Sequence, residues 1–331
     1  MKILCDPRAT TVSMQLDLGS ERPIFSLKLG PYVEEDGRKY QIQDKCLRWM
    51  KKFSFFNQLD VENNFLNHRF DFLATTQFKN FDLQIVMVAA KLMIWYFYFD
   101  DFIEHNAEKK TTFLALSNAK KILAGQNLHG FTETMLSDLV NDLDSYGKMP
   151  YLRKKFFSRL GEYVDGCEKE NLFSLSQPKN IDVEHFIKEI RLKTVGVYPC
   201  FDLMALGLGI KDDQAMRLES SSIKEIEDIA VKHSILTNDL FGLERDLAQN
   251  NPNIILYEAK EKKISLSKVV AKSEAEANDL FDRFEELRAK EISPAFVSDY
   301  TRYIGYFLRS IVDWYLTSDR YRDSLDAIVR K

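Results

Sequence analysis

The stretch that decides the fold is residues 85–101, IVMVAAKLMIWYFYFDD, a nearly uninterrupted apolar run that ends in two adjacent carboxylates. A third carboxylate, Glu104, follows one helical turn later. At 3.6 residues per turn, Asp100 and Glu104 share a helix face with Phe97 and Met93. The run therefore predicts a buried helix that carries acidic groups to the end of an apolar pocket.

The same run does not predict a membrane span. Lys91 interrupts it, and it falls short of the roughly 20 apolar residues that a span needs. The N-terminus, MKILCDPRATT, has a three-residue apolar patch before Asp6, which is too short for the core of a signal peptide. We therefore expect a cytoplasmic protein.

Composition excludes several classes of protein. The 331 residues carry a net charge of −4 without a cluster of Lys and Arg, which argues against nucleic-acid binding. The four cysteines are too scattered for a disulfide framework or a zinc site, so we expect thiols in a reducing compartment: Cys5, Cys46, Cys167 and Cys200.

Hydrophobic periodicity predicts an all-α, single-domain helical bundle of ten to twelve helices. The apolar run that ends in acidic residues places a central apolar cavity in this bundle. Residues 1–42 are rich in Pro and Gly and are interpreted as an irregular leader that could cap the active site, and residues 43–331 as the catalytic domain. We recognise no alternating strand pattern. Helical spacing marks residues 44–56, 60–74, 82–106, 111–125, 132–145, 150–173, 200–208, 222–248, 264–290 and 295–317.

A helix beginning near residue 183 meets Gly196 and Pro199 within four residues. Proline removes a backbone donor and disfavours helix at the residue before it, so the helix is expected to break here. A break beside an active site leaves carbonyl groups free.

Two acidic patterns suit a hard cation, which prefers oxygen ligands. The first is the trio of Asp100, Asp101 and Glu104. The second lies in TNDLFGLERD, where Asn238 and Asp246 are separated by two steps of four residues and share one helix face. We expect the two patterns to form opposite lips of one metal site.

These patterns resemble those of class I terpene synthases of the microbial, single-domain type. WYFYFDDFIE resembles the aspartate-rich motif of that family, and NDLFGLERD resembles its second metal motif. The resemblance implies three Mg²⁺ ions completed by the substrate diphosphate, with ligand positions at Asp100, Asp101, Glu104, Asn238, Gly242 and Asp246.

The resemblance also implies the groups that hold the substrate. The residues implied to bind the substrate through its diphosphate are Arg191, Arg245, Arg320 and Tyr321. The residues implied to be catalytic are Asp100, Arg191, Arg320 and Tyr321. Val195 leads into the helix break whose carbonyl faces the substrate. The aromatic faces implied to line the cavity are Tyr96, Phe97 and Trp314.

Two positions depart from the family pattern. Gly242 stands where the family usually has Ser or Thr, and Asp246 stands where Glu is commoner. The first change removes a metal-binding oxygen, and the second shortens the reach of the carboxylate by one methylene. Both affect binding of the third metal ion.

The function implied by the resemblance is ionisation and cyclisation of a linear isoprenyl diphosphate to a terpene hydrocarbon or alcohol. Farnesyl diphosphate is the expected substrate and geranylgeranyl diphosphate the next, in a monomer or homodimer. Two alternatives stay open: a chain-elongating prenyl diphosphate synthase, and a non-catalytic helical scaffold with a degenerate metal site.

Overall fold

The computed structural model describes residues 9–53, 59–105, 108–126, 128, 131–145, 149–176 and 181–321. Their contacts fall into two compact units. The first contains the described parts of Met1–Val33, Phe173–Val195 and Ser221–Lys331, and the second contains those of Glu34–Leu172 and Gly196–Ser220. The division into a leader of residues 1–42 and a catalytic domain of residues 43–331 stays a prediction.

The first unit begins with a β-hairpin that the sequence analysis missed. Strand β1 (Thr11–Gln15) pairs antiparallel with β2 (Ile24–Lys28), with Val12 opposite Leu27. Alternate side chains on both strands are buried, so one face of the hairpin is apolar and packs inward. Each strand has five residues, too few for an alternating pattern to stand out in the sequence.

Helices make up most of the rest of the described chain, and this confirms the all-α prediction. In chain order they are α1 (Lys39–Met50), α2 (Leu59–His68), α3 (Phe70–Gln77), α4 (Leu83–His105), α5 (Lys109–Leu123), α6 (Phe131–Ser145), α7 (Pro150–Ser176), α8 (Val183–Phe186), α9 (Leu192–Thr194), α10 (Val197–Gly207), α11 (Asp212–Leu218), α12 (Ser221–Gln249), α13 (Ile254–Lys262), α14 (Leu266–Lys290) and α15 (Ala295–Thr317).

Helix α4 is the core helix of the second unit and contacts α1, α3, α6 and α10. Its apolar run is almost wholly buried, and Lys91 is accommodated by an ion pair with Asp142 at 2.6 Å and by the face of Trp49. Leu83–Glu104 is long and apolar enough to cross a membrane, but 67% of its most apolar window is buried inside the protein. Burial of this kind is typical of a core helix.

Helix α12 has the central place in the first unit, where it contacts α13, α14 and α15. The hairpin packs on α14, and the side chain of Asn278 fixes it there: Asn278 accepts from the Lys28 amide at 2.7 Å and donates to the Ser26 carbonyl at 2.8 Å. The N-terminal strands are thus part of the packed unit.

The predicted helix break is present. Helix α8 passes into a π-helical turn at Ile187–Arg191, which continues through α9. Gly196 then takes a left-handed conformation with φ +68°, and α10 begins at Val197 with Pro199 in its first turn. Proline is tolerated there because the amide it lacks has no partner within the helix.

Three of the four cysteines lie in the described part of the chain, and all three are buried free thiols: Cys46, Cys167 and Cys200.

Candidate active site

The acidic trio lies at the C-terminal end of α4. One carboxylate oxygen from each of Asp100, Asp101 and Glu104 lies within 4.8 Å of the other two. The two aspartates are half-buried and Glu104 is exposed. Like charges repel at this separation, and a divalent cation between them would turn that repulsion into attraction. The donor set is all oxygen, which fits Mg²⁺.

Aromatic rings fill the helical turns before the trio. The ring of Tyr96 lies 4.5 Å from that of Tyr163, and Phe97 stacks on Phe70 at 4.4 Å. Tyr96 is fully packed, and burial raises the pKa of its phenol well above the ordinary value, so the side chain stays neutral. Its hydroxyl has no hydrogen-bond partner among the described residues.

Asn238 is held in one orientation by neighbours on both sides. Its Nδ2 donates to the hydroxyl of Tyr315 at 3.0 Å and to that of Tyr321 at 3.4 Å, while its Oδ1 accepts from Arg191 Nη2 at 2.6 Å. Burial raises the pKa of both tyrosines, which keeps the phenols neutral. The amide oxygen of Asn238 is therefore fixed so that it faces the guanidinium group of Arg191.

Arg191 also pairs with the buried carboxylate of Asp239. The other oxygen of Asp239 accepts from the backbone amide of Ile254 at 2.7 Å, at the start of α13. Burial raises the pKa of Asp239 above its ordinary value, and the Arg191 guanidinium opposes that rise. Asp239 thus orients the guanidinium that reaches Asn238.

The carboxylate of Asp246 has partners on each oxygen. Oδ1 accepts from Arg245 Nε at 3.0 Å and Nη2 at 2.8 Å, and Oδ2 accepts from Asn253 Nδ2 at 3.0 Å. Gly242 contributes no side-chain oxygen at the position where the resemblance implies a ligand. A Cβ placed there would lie only 2.8 Å from Asp246 Oδ2.

The predicted C-terminal group lies beside the Asn238 motif in the first unit. Trp314 is buried and meets Tyr321 edge-to-face, with ring centroids 5.3 Å apart. The guanidinium carbon of Arg245 lies 5.3 Å from the centroid of the Tyr321 ring. Arg320 follows with its side chain half-buried and its amide bound to Ser318.

The structure brings the predicted residues together in two sets. Arg191, Asn238, Arg245, Asp246 and Tyr321 form one connected set in the first unit. The acidic trio and the aromatic pair at 96 and 97 form the other in the second unit. Val195, half-buried, lies at the C-terminal end of α9. That the two sets face each other across one metal site stays a prediction.

Sequence reasoning missed three supporting residues, Asp239, Asn253 and Tyr315. Asp239 follows the motif residue Asn238 and precedes two apolar residues, so its burial could have been predicted from the sequence. Asn253 follows a proline and precedes an apolar helix, which is the pattern of an N-cap, and it does cap α13 through the Ile255 amide at 3.0 Å. No signal in the sequence singles out Tyr315 among the aromatic residues of α15.

Comparison with known proteins adds to this geometry. A family model described as terpene synthase family 2, C-terminal metal binding, matches residues 91–283. The chain is 28% identical over 174 residues to a (+)-germacrene D synthase of Selaginella moellendorffii, covering 50% of this chain and 49% of that protein. It therefore spans about half the length of that relative. It is 25% identical over 300 residues to a germacrene A synthase of Nostoc punctiforme, covering 85% of this chain and 90% of that protein.

The fold also matches solved structures. A 2-methylisoborneol synthase from Streptomyces coelicolor A3(2), in complex with Mg²⁺ and 2-fluoroneryl diphosphate, aligns with a TM-score of 0.77 and 14% identity. The alignment covers 89% of this chain and 96% of the other, which shows a shared all-α fold. The family match extends over more than half of the chain and includes both the acidic trio and the Asn238 motif. This chain belongs to terpene synthase family 2.

Proposed function

We propose that the protein ionises a linear isoprenyl diphosphate in a Mg²⁺-dependent reaction and cyclises the resulting cation to a terpene hydrocarbon or alcohol. The observation that carries the proposal is the contact of 2.6 Å between Arg191 Nη2 and Asn238 Oδ1. This contact places the guanidinium group of Arg191, which is permanently charged and suited to bind phosphate oxygens, next to the amide oxygen of Asn238, which is suited to bind a metal ion. A site that handles a metal diphosphate needs both.

The residues that would hold Mg²⁺ are the acidic trio of α4 together with Asn238 and Asp246. When bound, Mg²⁺ supplies positive charge that stabilises a departing diphosphate. Asn238 presents its oxygen because two tyrosine hydroxyls accept from its amide nitrogen. Asp246 is held by Arg245 and Asn253.

The diphosphate is bound by groups that stay positively charged or neutral at physiological pH. Arg191, Arg245 and Arg320 donate to its oxygens, and the neutral phenol of Tyr321 adds a further hydrogen bond. The carbon–oxygen bond breaks without an attacking nucleophile, and its electron pair leaves with the diphosphate. Donors arranged beforehand around the leaving group lower the barrier because they need no reorganisation as the charge develops.

The remaining allylic cation is stabilised by aromatic faces and protected from water. The faces of Tyr96, Phe97 and Trp314 carry negative quadrupoles that attract positive charge. A double bond of the substrate attacks the cation and closes a ring, which moves the charge to a new carbon. Loss of a proton to the released diphosphate gives a hydrocarbon, and addition of water followed by loss of a proton gives an alcohol.

Farnesyl diphosphate is the proposed substrate, with geranylgeranyl diphosphate next. Two relatives are named as germacrene synthases, which favours the fifteen-carbon substrate. The complex of the structural neighbour with Mg²⁺ and a fluorinated diphosphate supports the same class of metal and substrate.

The test is incubation of the purified protein with geranyl, farnesyl or geranylgeranyl diphosphate and Mg²⁺, followed by gas chromatography. We expect cyclic hydrocarbons or alcohols from farnesyl diphosphate and none in the presence of a chelator. Longer diphosphates formed when isopentenyl diphosphate is added would indicate a chain-elongating enzyme instead. If the protein forms no product and shows no Mg²⁺-dependent binding of diphosphate, it is a scaffold.

A further inference from the structure

The backbone of Gly242 lies directly under the carboxylate of Asp246. A Cβ on residue 242 would come within 2.8 Å of Asp246 Oδ2 and 3.5 Å of Arg245 Nη2. The first separation is shorter than any ordinary contact of a carbon atom, so one of the two groups would have to shift. The carboxylate thus occupies the space that any side chain at residue 242 would need.

The carboxylate cannot shift without losing partners. Asp246 is 3% exposed, and its two oxygens accept hydrogen bonds from Arg245 and from Asn253. Asn253 is completely buried and also donates to the Asp239 carbonyl at 2.9 Å, so it is fixed in turn. If the buried carboxylate moves away from these donors, both the carboxylate and the donors lose their hydrogen bonds.

Side-chain length explains why these residues occur together. An aspartate at residue 246, one turn beyond residue 242 on the same face, has too short a stem to carry its carboxylate away from the helix backbone. A glutamate has one more methylene and could place its carboxylate further out. A glycine at 242 therefore accommodates an aspartate at 246, and a serine at 242 requires a longer acid at 246.

We propose that Gly242 and Asp246 are a compensating pair and that Asn253 is the positioning residue that holds the Asp246 carboxylate over residue 242. In this arrangement the second motif binds Mg²⁺ through Asn238 and Asp246 alone. The assignment of Mg²⁺ rests on the proposed function, whereas the coupling of the side chains does not.

The coupling is tested first without metal. Alanine forms helix better than glycine, so a Gly→Ala change inside a helix with open space raises the melting temperature by about 2 °C. Gly161, inside α7, has nothing within 4 Å of an added Cβ and serves as the matched control. We expect G161A to raise the melting temperature, G242A to lower it, and G242A to raise it in a D246A background. If G242A behaves like G161A in the wild-type background, the proposed coupling is wrong.

Metal binding is tested by titrating Mn²⁺ into the protein with inorganic diphosphate, followed by electron paramagnetic resonance. We expect G242S and D246E each to weaken Mn²⁺ binding at least tenfold, and the double variant to return to within about threefold of wild type. Weakening in the double variant equal to the product of the two single effects would overturn the pairing.

Asn253 is tested with N253S, because serine still caps a helix but is too short to replace the amide donor to Asp246. We expect Mn²⁺ binding about tenfold weaker. The melting temperature should also fall, because the Asp246 carboxylate and the Asp239 carbonyl each lose a buried donor. Unchanged Mn²⁺ binding in N253S would remove Asn253 from the proposal. If wild-type protein binds no Mn²⁺ with diphosphate, the proposed function fails, and the melting temperatures still decide whether residues 242 and 246 are coupled.

Discussion

Asp100 and Glu104 belong to the same trio but differ in exposure. Asp100 is half-buried, and Glu104 is exposed. A less exposed carboxylate loses more when its cation contact is removed, because water screens it less. We expect Asp100→Ala to lower kcat/KM about 10²–10³-fold or more and Glu104→Ala to lower it about tenfold.

Steady-state kinetics with farnesyl diphosphate and Mg²⁺ measure both effects. Circular dichroism and the melting temperature serve as controls that each variant is folded. Full activity of Asp100→Ala would contradict its assignment as a metal ligand.

His233 makes folding stability depend on pH. It is buried in α12, and burial lowers the pKa of its imidazole from 6.5 to about 4. The unfolded chain therefore binds the proton more tightly, so the contribution of His233 to stability is complete above pH 6.5 and is lost as the pH falls towards 4. At pH 5 the loss is about 2 kcal/mol.

His233→Leu removes this dependence. Urea unfolding of wild type and variant at pH 7.5 and pH 5.0 gives the comparison, in which all other titrating groups cancel. When the pH is lowered from 7.5 to 5.0, we expect the free energy of unfolding of the variant to fall by about 2 kcal/mol less than that of wild type. Parallel pH dependence of the two proteins would show that His233 is not buried as a neutral side chain.

Helix α10 is preceded by a glycine that is constrained in two ways. Gly196 has φ +68°, a conformation that costs other residues about 1–2 kcal/mol, and a Cβ there would lie 3.3 Å from the ring of Tyr96. Gly209 has φ +67° with nothing within 4 Å of an added Cβ. An alanine at either position would be under the same backbone strain, but only an alanine at residue 196 would also contact the ring of Tyr96.

We therefore expect both Gly196→Ala and Gly209→Ala to lower the melting temperature, and Gly196→Ala to lower it more because it also crowds the buried Tyr96 ring. Only Gly196→Ala displaces the Tyr96 ring, and so only this variant should alter the ratio of terpene products measured by gas chromatography. An equal change of product ratio in both variants would exclude Tyr96 as the cause.

The helices show what the sequence could predict. The long elements α4, α12, α14 and α15 follow from hydrophobic periodicity, because each buries a continuous apolar face. Residues 60–74 were predicted as one helix but form α2 and α3, which are separated by Arg69 in a left-handed conformation. An ion pair with Glu35 and the ring of Phe72 hold Arg69 there. The contact with Glu35 joins residues 34 positions apart, so it cannot be predicted from the local sequence.

For the candidate site, the ligand positions and the arginines were implied by the resemblance of two motifs to those of a known family, and their roles stay a prediction. Asn253 and Tyr315 act through distant contacts, with Tyr315 binding a residue 77 positions earlier. The significance of Gly242 was also hidden, because it depends on the direction in which the Asp246 carboxylate points.

At the scale of the whole molecule, the N-terminal hairpin supports the candidate site through a chain of rings. Phe25 of β2 meets Phe241 edge-to-face at 5.3 Å, and Phe241 stacks on Tyr315 at 5.0 Å. Tyr315 accepts from Asn238. Arg309, buried in α15, adds hydrogen bonds to the carbonyls of Ala9 and Gly30.

Deletion of residues 1–33 is therefore expected to destabilise the protein as well as to inactivate it. Loss of the hairpin exposes the apolar surface that it covers, and the buried Arg309 guanidinium loses its hydrogen bonds to the carbonyls of Ala9 and Gly30 while it keeps its ion pair with Asp313. The measurement is the melting temperature, with Phe25→Ala as a milder variant that removes the ring contact only. A leader that served only as a cap would leave the melting temperature unchanged and lower turnover.

The hairpin also has a consequence for how the chain is made. Its partner Asn278 lies 250 residues after Lys28, so the first strands leave the ribosome long before the helix on which they rest. At about 5–20 residues per second, the delay is roughly 10–50 s. During that time an apolar ribbon has no native partner, which makes the newborn chain a substrate for chaperones and ties the yield of soluble protein to the speed of translation.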